Sequence, residues 1–189
     1  MTQEEAKEIY KTYFGFIERK GAKDLLEWIE KKGFFEAPAS VRHHGAYEGG
    51  LVVHSINVFR RILQIKENEQ KALEKNEEKP RKYSLETLAI VSLLHDLCKT
   101  DAYIKQEDGT YRPSRHFPAG HGEKSVFMIL PFMDLSEEEI LAIRWHMGAY
   151  DFCAKGGSYD LGNAFNQSRL AVMLHIADME ATHFDERED

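Results

Sequence analysis

Apolar residues recur at helical spacing over most of the chain, and runs of two-residue period are short. Between Thr2 and Lys20, Ala6, Ile9, Tyr10, Tyr13, Phe16 and Ile17 form one stripe behind a capping box of Thr2 and Glu5. A shorter helix follows, with Ala22, Leu25, Leu26 and Ile29 on one face and Gly33 past its end. After a loop over 34–50, a long helix is predicted from Leu51 to about Gln70, turning His54, Ser55, Val58, Ile62 and Ile65 inward. Lys66 to Lys82, dense in Lys, Glu and Asn and ending at Pro80, reads as a solvated helix end and loop. Ser84 then caps a helix running to about Thr100. Its apolar residues surround the axis, which marks a buried helix.

The second half follows the same logic. Asp108-Gly109 predicts the turn of a small β-hairpin over 103–112. A helix opens within Phe117 to Ser125, has its body at Val126 to Leu130, and ends at Pro131. Ser136 and Glu139 form a second capping box, Leu135 and Ile140 a hydrophobic staple, and Gly148 follows the last turn at Met147. Residues 149–166 read as a glycine-bearing surface loop, and 167–183 as the last helix. The sum is an all-α bundle of six to eight helices in a single domain over 1–189. Residues 1–40 form accessory helices, and 41–183 carry the functional core.

Composition narrows the class. At 189 residues, 42% hydrophobic and 30% charged, the chain reads as an ordinary globular protein able to bury a core. No apolar run approaches the ~20 residues of a membrane helix, and Met1 to Glu8 lacks the basic and apolar regions of a secretory signal. Two cysteines, Cys98 and Cys153, make no disulfide framework, which predicts a reducing cytoplasm. A net charge of −7 argues against a broad surface for long nucleic acid. It permits a small phosphorylated substrate, because bound divalent cations reverse the field locally.

The chemistry gathers in the buried helix, where His95 and Asp96 stand side by side and Lys99 follows on the same face. A buried carboxylate needs a cation. A core His-Asp pair with a lysine counter-ion is the plain alternative to a metal. His54 alone on its stripe would be an ordinary core histidine, but His146 also points inward and Asp178 lies on an apolar face. Gly120 and Gly122 flank His121, allowing close backbone approach, at a helix start that would favour an anion. Without ions, two carboxylates buried among these imidazoles would be only partly satisfied. Four histidines and two carboxylates suit Fe, Mn, Ni, Co or Zn better than Mg or Ca.

The order His54, His95-Asp96, Asp178 resembles the HD superfamily of metal-dependent phosphohydrolases, and His121 and His146 fall where its dinuclear branch inserts two further histidines. Leu-Leu-His-Asp-Leu-Cys-Lys is similar to the family's Leu-His-Asp-Ile/Leu-Gly-Lys, with Cys98 in place of the glycine. His43 to Leu51 resembles the opening of bacterial members, including the exoribonuclease-type HD domains. The resemblance spans about 40–182. It implies two divalent metals bridged by Asp96, with His54, His95 and Asp178 completing one site and His121 and His146 the other. It further implies that a metal-bridged hydroxide hydrolyses a phosphomonoester or phosphodiester, such as a nucleotide. Lys99 would act on the substrate phosphate or orient the hydroxide, with Arg42, His43, His44, Lys124 and Arg144, then Arg115, His116 and Asp151, as substrate contacts. A diiron oxygenase with the same ligand order is the alternative. A non-catalytic nucleotide-binding module is disfavoured because no ligand position is degenerate.

Overall fold

The computed structural model describes residues 1–76, 83–114 and 119–187. Among them the fold is all-α apart from one two-stranded hairpin, as the periodicity predicts. The helices are α1 (Gln3–Phe14), α2 (Ala22–Lys31), α3 (Gly50–Lys75), α4 (Leu85–Leu94), α5 (His121–Ile129), α6 (Glu137–Trp145), α7 (Phe152–Lys155), α8 (Asp160–Gln167) and α9 (Arg169–Glu180). The two short helices α7 and α8 occupy the stretch expected to be loop, which carries the count past eight. Strands β1 (Tyr103–Lys105) and β2 (Tyr111–Pro113) pair antiparallel, with Ile104 opposite Arg112. Pro80, the expected end of the charged stretch, and Phe117 and Pro118 lie outside the described residues.

Both capping boxes form, at Thr2 and at Ser136. Helix α1 stops at Phe14 rather than continuing toward Lys20, leaving Phe16 partly exposed while Ile17 still reaches the core. The N-terminal pair is bound firmly to the rest. Tyr10 donates its buried hydroxyl to the Leu93 carbonyl at 3.1 Å. Arg19 grips the buried Glu139 with two hydrogen bonds of 2.6 and 3.0 Å. Helix α4 is the centre of the core, with every residue from Leu88 to Leu94 buried, between α1, α3 and α6. Helix α9 packs across α3 and α6. No helix among the described residues is long and apolar enough to cross a membrane.

One expectation needs correction. The spacing predicts a central helix reaching Thr100, yet its α-helical turns end at Leu94. Leu97–Asp101 then continue as a 3₁₀ turn. A partner on α5 intervenes: the Cys98 amide donates to the Ser125 hydroxyl at 3.1 Å, and the Thr100 hydroxyl turns back to the Leu97 carbonyl at 2.7 Å. The break places His95 and Asp96 at a helix end, where side chains can converge, instead of along a packed helix wall.

Candidate metal centre

Two helices end at the centre. His95 and His146 take the C-cap positions of α4 and α6. Each ring folds back, so that its Nδ1 lies 2.8 Å from the Ser92 carbonyl and 2.7 Å from the Ile143 carbonyl respectively. A carbonyl only accepts, so each Nδ1 carries a hydrogen, and in the neutral ring each Nε2 keeps its lone pair. His54, one turn into α3, reaches the same state by another route. Its Nδ1 lies 3.1 Å from both carboxylate oxygens of Glu186, which also accepts from the Asn57 amide at 3.0 Å. Three Nε2 atoms therefore face one space. Those of His54 and His95 are 3.2 Å apart, and Asp178 Oδ1 lies 3.2 Å from His54 Nε2.

Asp96, 2% exposed, sits in the middle. Its Oδ2 is 2.6 Å from Lys99 Nζ, 3.3 Å from His95 Nε2 and 3.6 Å from His54 Nε2. Its Oδ1 faces His146 Nε2 at 3.4 Å, and neither atom has a hydrogen-bond partner among the described residues. Two buried lone-pair atoms facing one another call for a proton on the ring or a cation between them. The local charge agrees: Asp96, Asp178 and Glu186 outnumber Lys99. The donor set of imidazole nitrogens and carboxylate oxygens suits a transition metal. His54, His95 and Asp96 place ligand atoms within 4.8 Å of one another, as do His95, His146 and Asp178, and as do His44, His54 and Glu186. These groups could hold metal ions.

The electrostatics keep the acids ionised. Burial alone would raise Asp96, but Lys99 and His95 outweigh it and hold the carboxyl well below its usual range. Burial opposes ionisation of Asp178 too, and His54 overrides it. Burial pushes the His54 imidazole down, yet Glu186 and Asp178 together carry it up to about 10. Lys99, pushed down by burial, is raised on balance by Asp96.

No family model matches the chain, and no solved structure does so either. Over 78 residues, 40% of its length, the chain is 40% identical to a dihydroneopterin 2′,3′-cyclic phosphate phosphodiesterase of Methanocaldococcus jannaschii. The match covers 28% of that relative.

The structure brings five of the six predicted ligands (His54, His95, Asp96, His146 and Asp178) into these groups. His121 stands outside them, with Nδ1 3.4 Å from Cys98 Sγ, although it lines the same cleft. Burial pushes the Cys98 thiol up to about 12, so it stays protonated beside that nitrogen. Gly122 explains why His121 comes this near: a Cβ there would lie 2.3 Å from the Arg144 carbonyl and 2.5 Å from that of Ile143. Helix α5 can touch the end of α6 only through a glycine.

The cleft has a volume of about 1200 Å³, and Asp96, Lys99, Arg42, His43 and His44 also line it. Lys124 and Arg144 do not. Lys124 is held on Asp101 and the Cys98 carbonyl. Arg144 is held by Glu123 at 2.5 Å and Asp151 at 3.0 Å, with its guanidinium 3.9 Å above the Trp145 ring. Arg115 and His116 lie outside the described residues. Glu186 and Asn57 escaped the sequence reading. Glu186 follows the last apolar stripe, and only a π-helical turn over Ala181–Asp185 bends it back to α3.

The proton on His54 predicts a pH dependence. If His54 takes a metal ion through Nε2, below a pKa of about 10 that ion must displace the proton, so apparent affinity would rise with pH until the site is deprotonated. Titration of the protein with Mn or Zn between pH 7 and 9 is expected to show affinity rising by about tenfold per unit for one released proton. Glu186→Gln removes the charge most responsible for raising His54, so the slope should flatten at lower pH. A slope unchanged in Glu186→Gln refutes this assignment.

Proposed function

We propose that the chain is a metal-dependent phosphoric ester hydrolase of the HD type, acting on a small phosphodiester or phosphomonoester, and that it works in the cytoplasm. The observation that carries this reading is the convergence of three imidazole Nε2 atoms and two ionised carboxylates at the floor of a cleft. The resemblance of the ordered ligands to the HD superfamily supports it. So does the relative's name, which gives a cyclic phosphodiester as that protein's substrate. Cyclic phosphodiesters therefore lead the panel of substrates to be tried.

In this reading Asp96 faces two sides. Its Oδ2 is turned to His54 and His95 and its Oδ1 to His146, the disposition a carboxylate bridging two metals requires. His54, His95 and Asp178 would hold one ion, and His146 with His121 the other, once His121 turns its ring hydrogen onto the Cys98 sulfur. Bound metal would supply an activated water at neutral pH and positive charge for the phosphoryl oxygens. Glu186 fixes the His54 tautomer, so that ring presents Nε2 without a search. Lys99, 2.6 Å from Asp96 on the cleft wall, holds a positive charge beside the site.

The direct test is release of product from nucleoside 2′,3′-cyclic phosphates, linear dinucleotides and phosphomonoesters with Mn, Co, Ni, Zn or Fe(II). Turnover of at least one ester class, abolished by a chelator and restored by metal, is expected. No turnover with any metal across the whole panel refutes the reading.

A further inference from the structure

The cleft is far larger than a phosphate group. At about 1200 Å³ it exceeds the range of roughly 300–1000 Å³ that encloses a drug-sized ligand. Its floor carries the metal-ligand candidates, and one wall carries exposed aromatic rings. Tyr150 is 56% exposed and Phe152 76%, and both line the cleft with Met147, Met179 and Lys155. Scattered exposed aromatics are unremarkable on a surface. These two are held in place.

Between them lies Asp151, only 4% exposed. Its Oδ1 caps α7 by accepting from the Cys153 and Ala154 amides at 2.8 and 3.4 Å. Its Oδ2 accepts from Arg144 at 3.0 Å, and Arg144 is pinned in turn by Glu123. A buried, doubly anchored residue fixes the backbone on either side of it, so Tyr150 and Phe152 are presented to the cleft from a rigid support. Lys155 Nζ lies 5.6 Å from the Tyr150 ring centroid and 6.0 Å from that of Phe152, within cation–π range of both. Such a wall suits a flat, electron-poor ring that stacks on an aromatic face and offers acceptors to an ammonium group.

We propose that Tyr150, Phe152 and Lys155 form a stacking site for a planar heteroaromatic ring, a purine or pterin type of group, carried by the ester whose phosphate reaches the metal centre. The proposal rests on the hydrolase reading for the phosphate end and on the aromatic wall for the ring. Asp151 and Arg144 act as positioning residues for the wall.

The experiment measures the two ends separately. Binding of guanosine and of neopterin, which carry the ring without phosphate, is followed by calorimetry in the full chain and in Tyr150→Ala, Phe152→Ala, Phe152→Trp and Phe127→Ala. Hydrolysis of guanosine 2′,3′-cyclic phosphate is compared with that of ribose 2′,3′-cyclic phosphate, which has no heteroaromatic ring. Loss of one stacking partner is expected to weaken ring binding and raise KM by roughly 5- to 100-fold with little change in kcat. Phe152→Trp should retain binding, and Phe127→Ala, an exposed ring away from the cleft, should behave as the parent chain. The exposed position of Phe152 makes its removal harmless to folding. The stacking site is overturned if neither ring binds, if binding is equal in Phe152→Ala, or if the ester without a base is hydrolysed as efficiently as the nucleotide. Ring binding that depends on Phe152, with no ester hydrolysed, supports the stacking site and sinks the hydrolase reading alone.

Discussion

Replacing Asp96 is expected to empty both halves of the proposed two-metal centre, and no other single substitution should do as much. Its two oxygens face different imidazoles, and it supplies the buried charge that would offset two cations. Asp96→Ala also strands Lys99, buried and raised in pKa by this same carboxylate, which costs about 3–5 kcal/mol when a buried pair loses one partner. The fold itself could therefore fail in that variant. Asp96→Asn keeps the volume and a carbonyl for Lys99 to donate to, and isolates the loss of charge. Purified Asp96→Asn should carry no metal by elemental analysis, while His146→Ala and His121→Ala should each retain about half, or all if His121 stays on Cys98. Full occupancy in Asp96→Asn would remove Asp96 from the bridging position.

The features legible in the sequence were those written in local spacing. Thr2 with Glu5 and Ser136 with Glu139 announce helix starts because capping partners lie three residues apart. The apolar surround of 88–94 announces burial, and His54, His95, Asp96, His146 and Asp178 stand out as polar groups on faces that must be core. Features set by distant partners were not legible. The helix stops at Leu94 because Ser125 captures the Cys98 amide, a bond across 27 positions. Arg144 is drawn from the cleft by Asp151 and Glu123, neither of which reads as its partner without the packing of α5 on α6. Glu186 orients His54 from 132 positions away, beyond any stripe that would call attention to it. Residues 149–166 carry glycines that suggest loop, but the Asp151 side chain caps α7 and starts a turn of helix where the pattern has none.

Partners near and far in the sequence also hold the candidate ligands in place without an ion. Lys99, Glu186, Ser92 and Ile143 each satisfy one atom of a ligand side chain independently of any ion. The candidate ligands are thus already oriented, which would limit the ordering cost of binding an ion.

A lysine at the Lys99 position is compatible with both hydrolysis and oxygen chemistry on the same ligand set. The effect of replacing it, read with and without oxygen, is therefore the test between them. A phosphoryl transition state spreads negative charge over its equatorial oxygens, and a fixed cation at the cleft wall stabilises that charge more than the ground state. Lys99 meets the requirement: buried, held charged by Asp96 and lining the cleft. An oxygenase instead needs redox-active iron and a substrate that chelates it, and its turnover has no equivalent demand for a phosphate-directed cation. Lys99→Ala is therefore expected to lower kcat for ester hydrolysis by roughly 10²–10³, the usual loss for one such donor. Its metals should remain, because removing a cation beside Asp96 leaves the site more negative. Hydrolysis should proceed at the same rate under strict anaerobiosis, with manganese as well as with iron. Turnover that requires both iron and oxygen, with no ester hydrolysed under either condition, would assign the centre to oxygen chemistry and leave Lys99 as the counter-ion of Asp96.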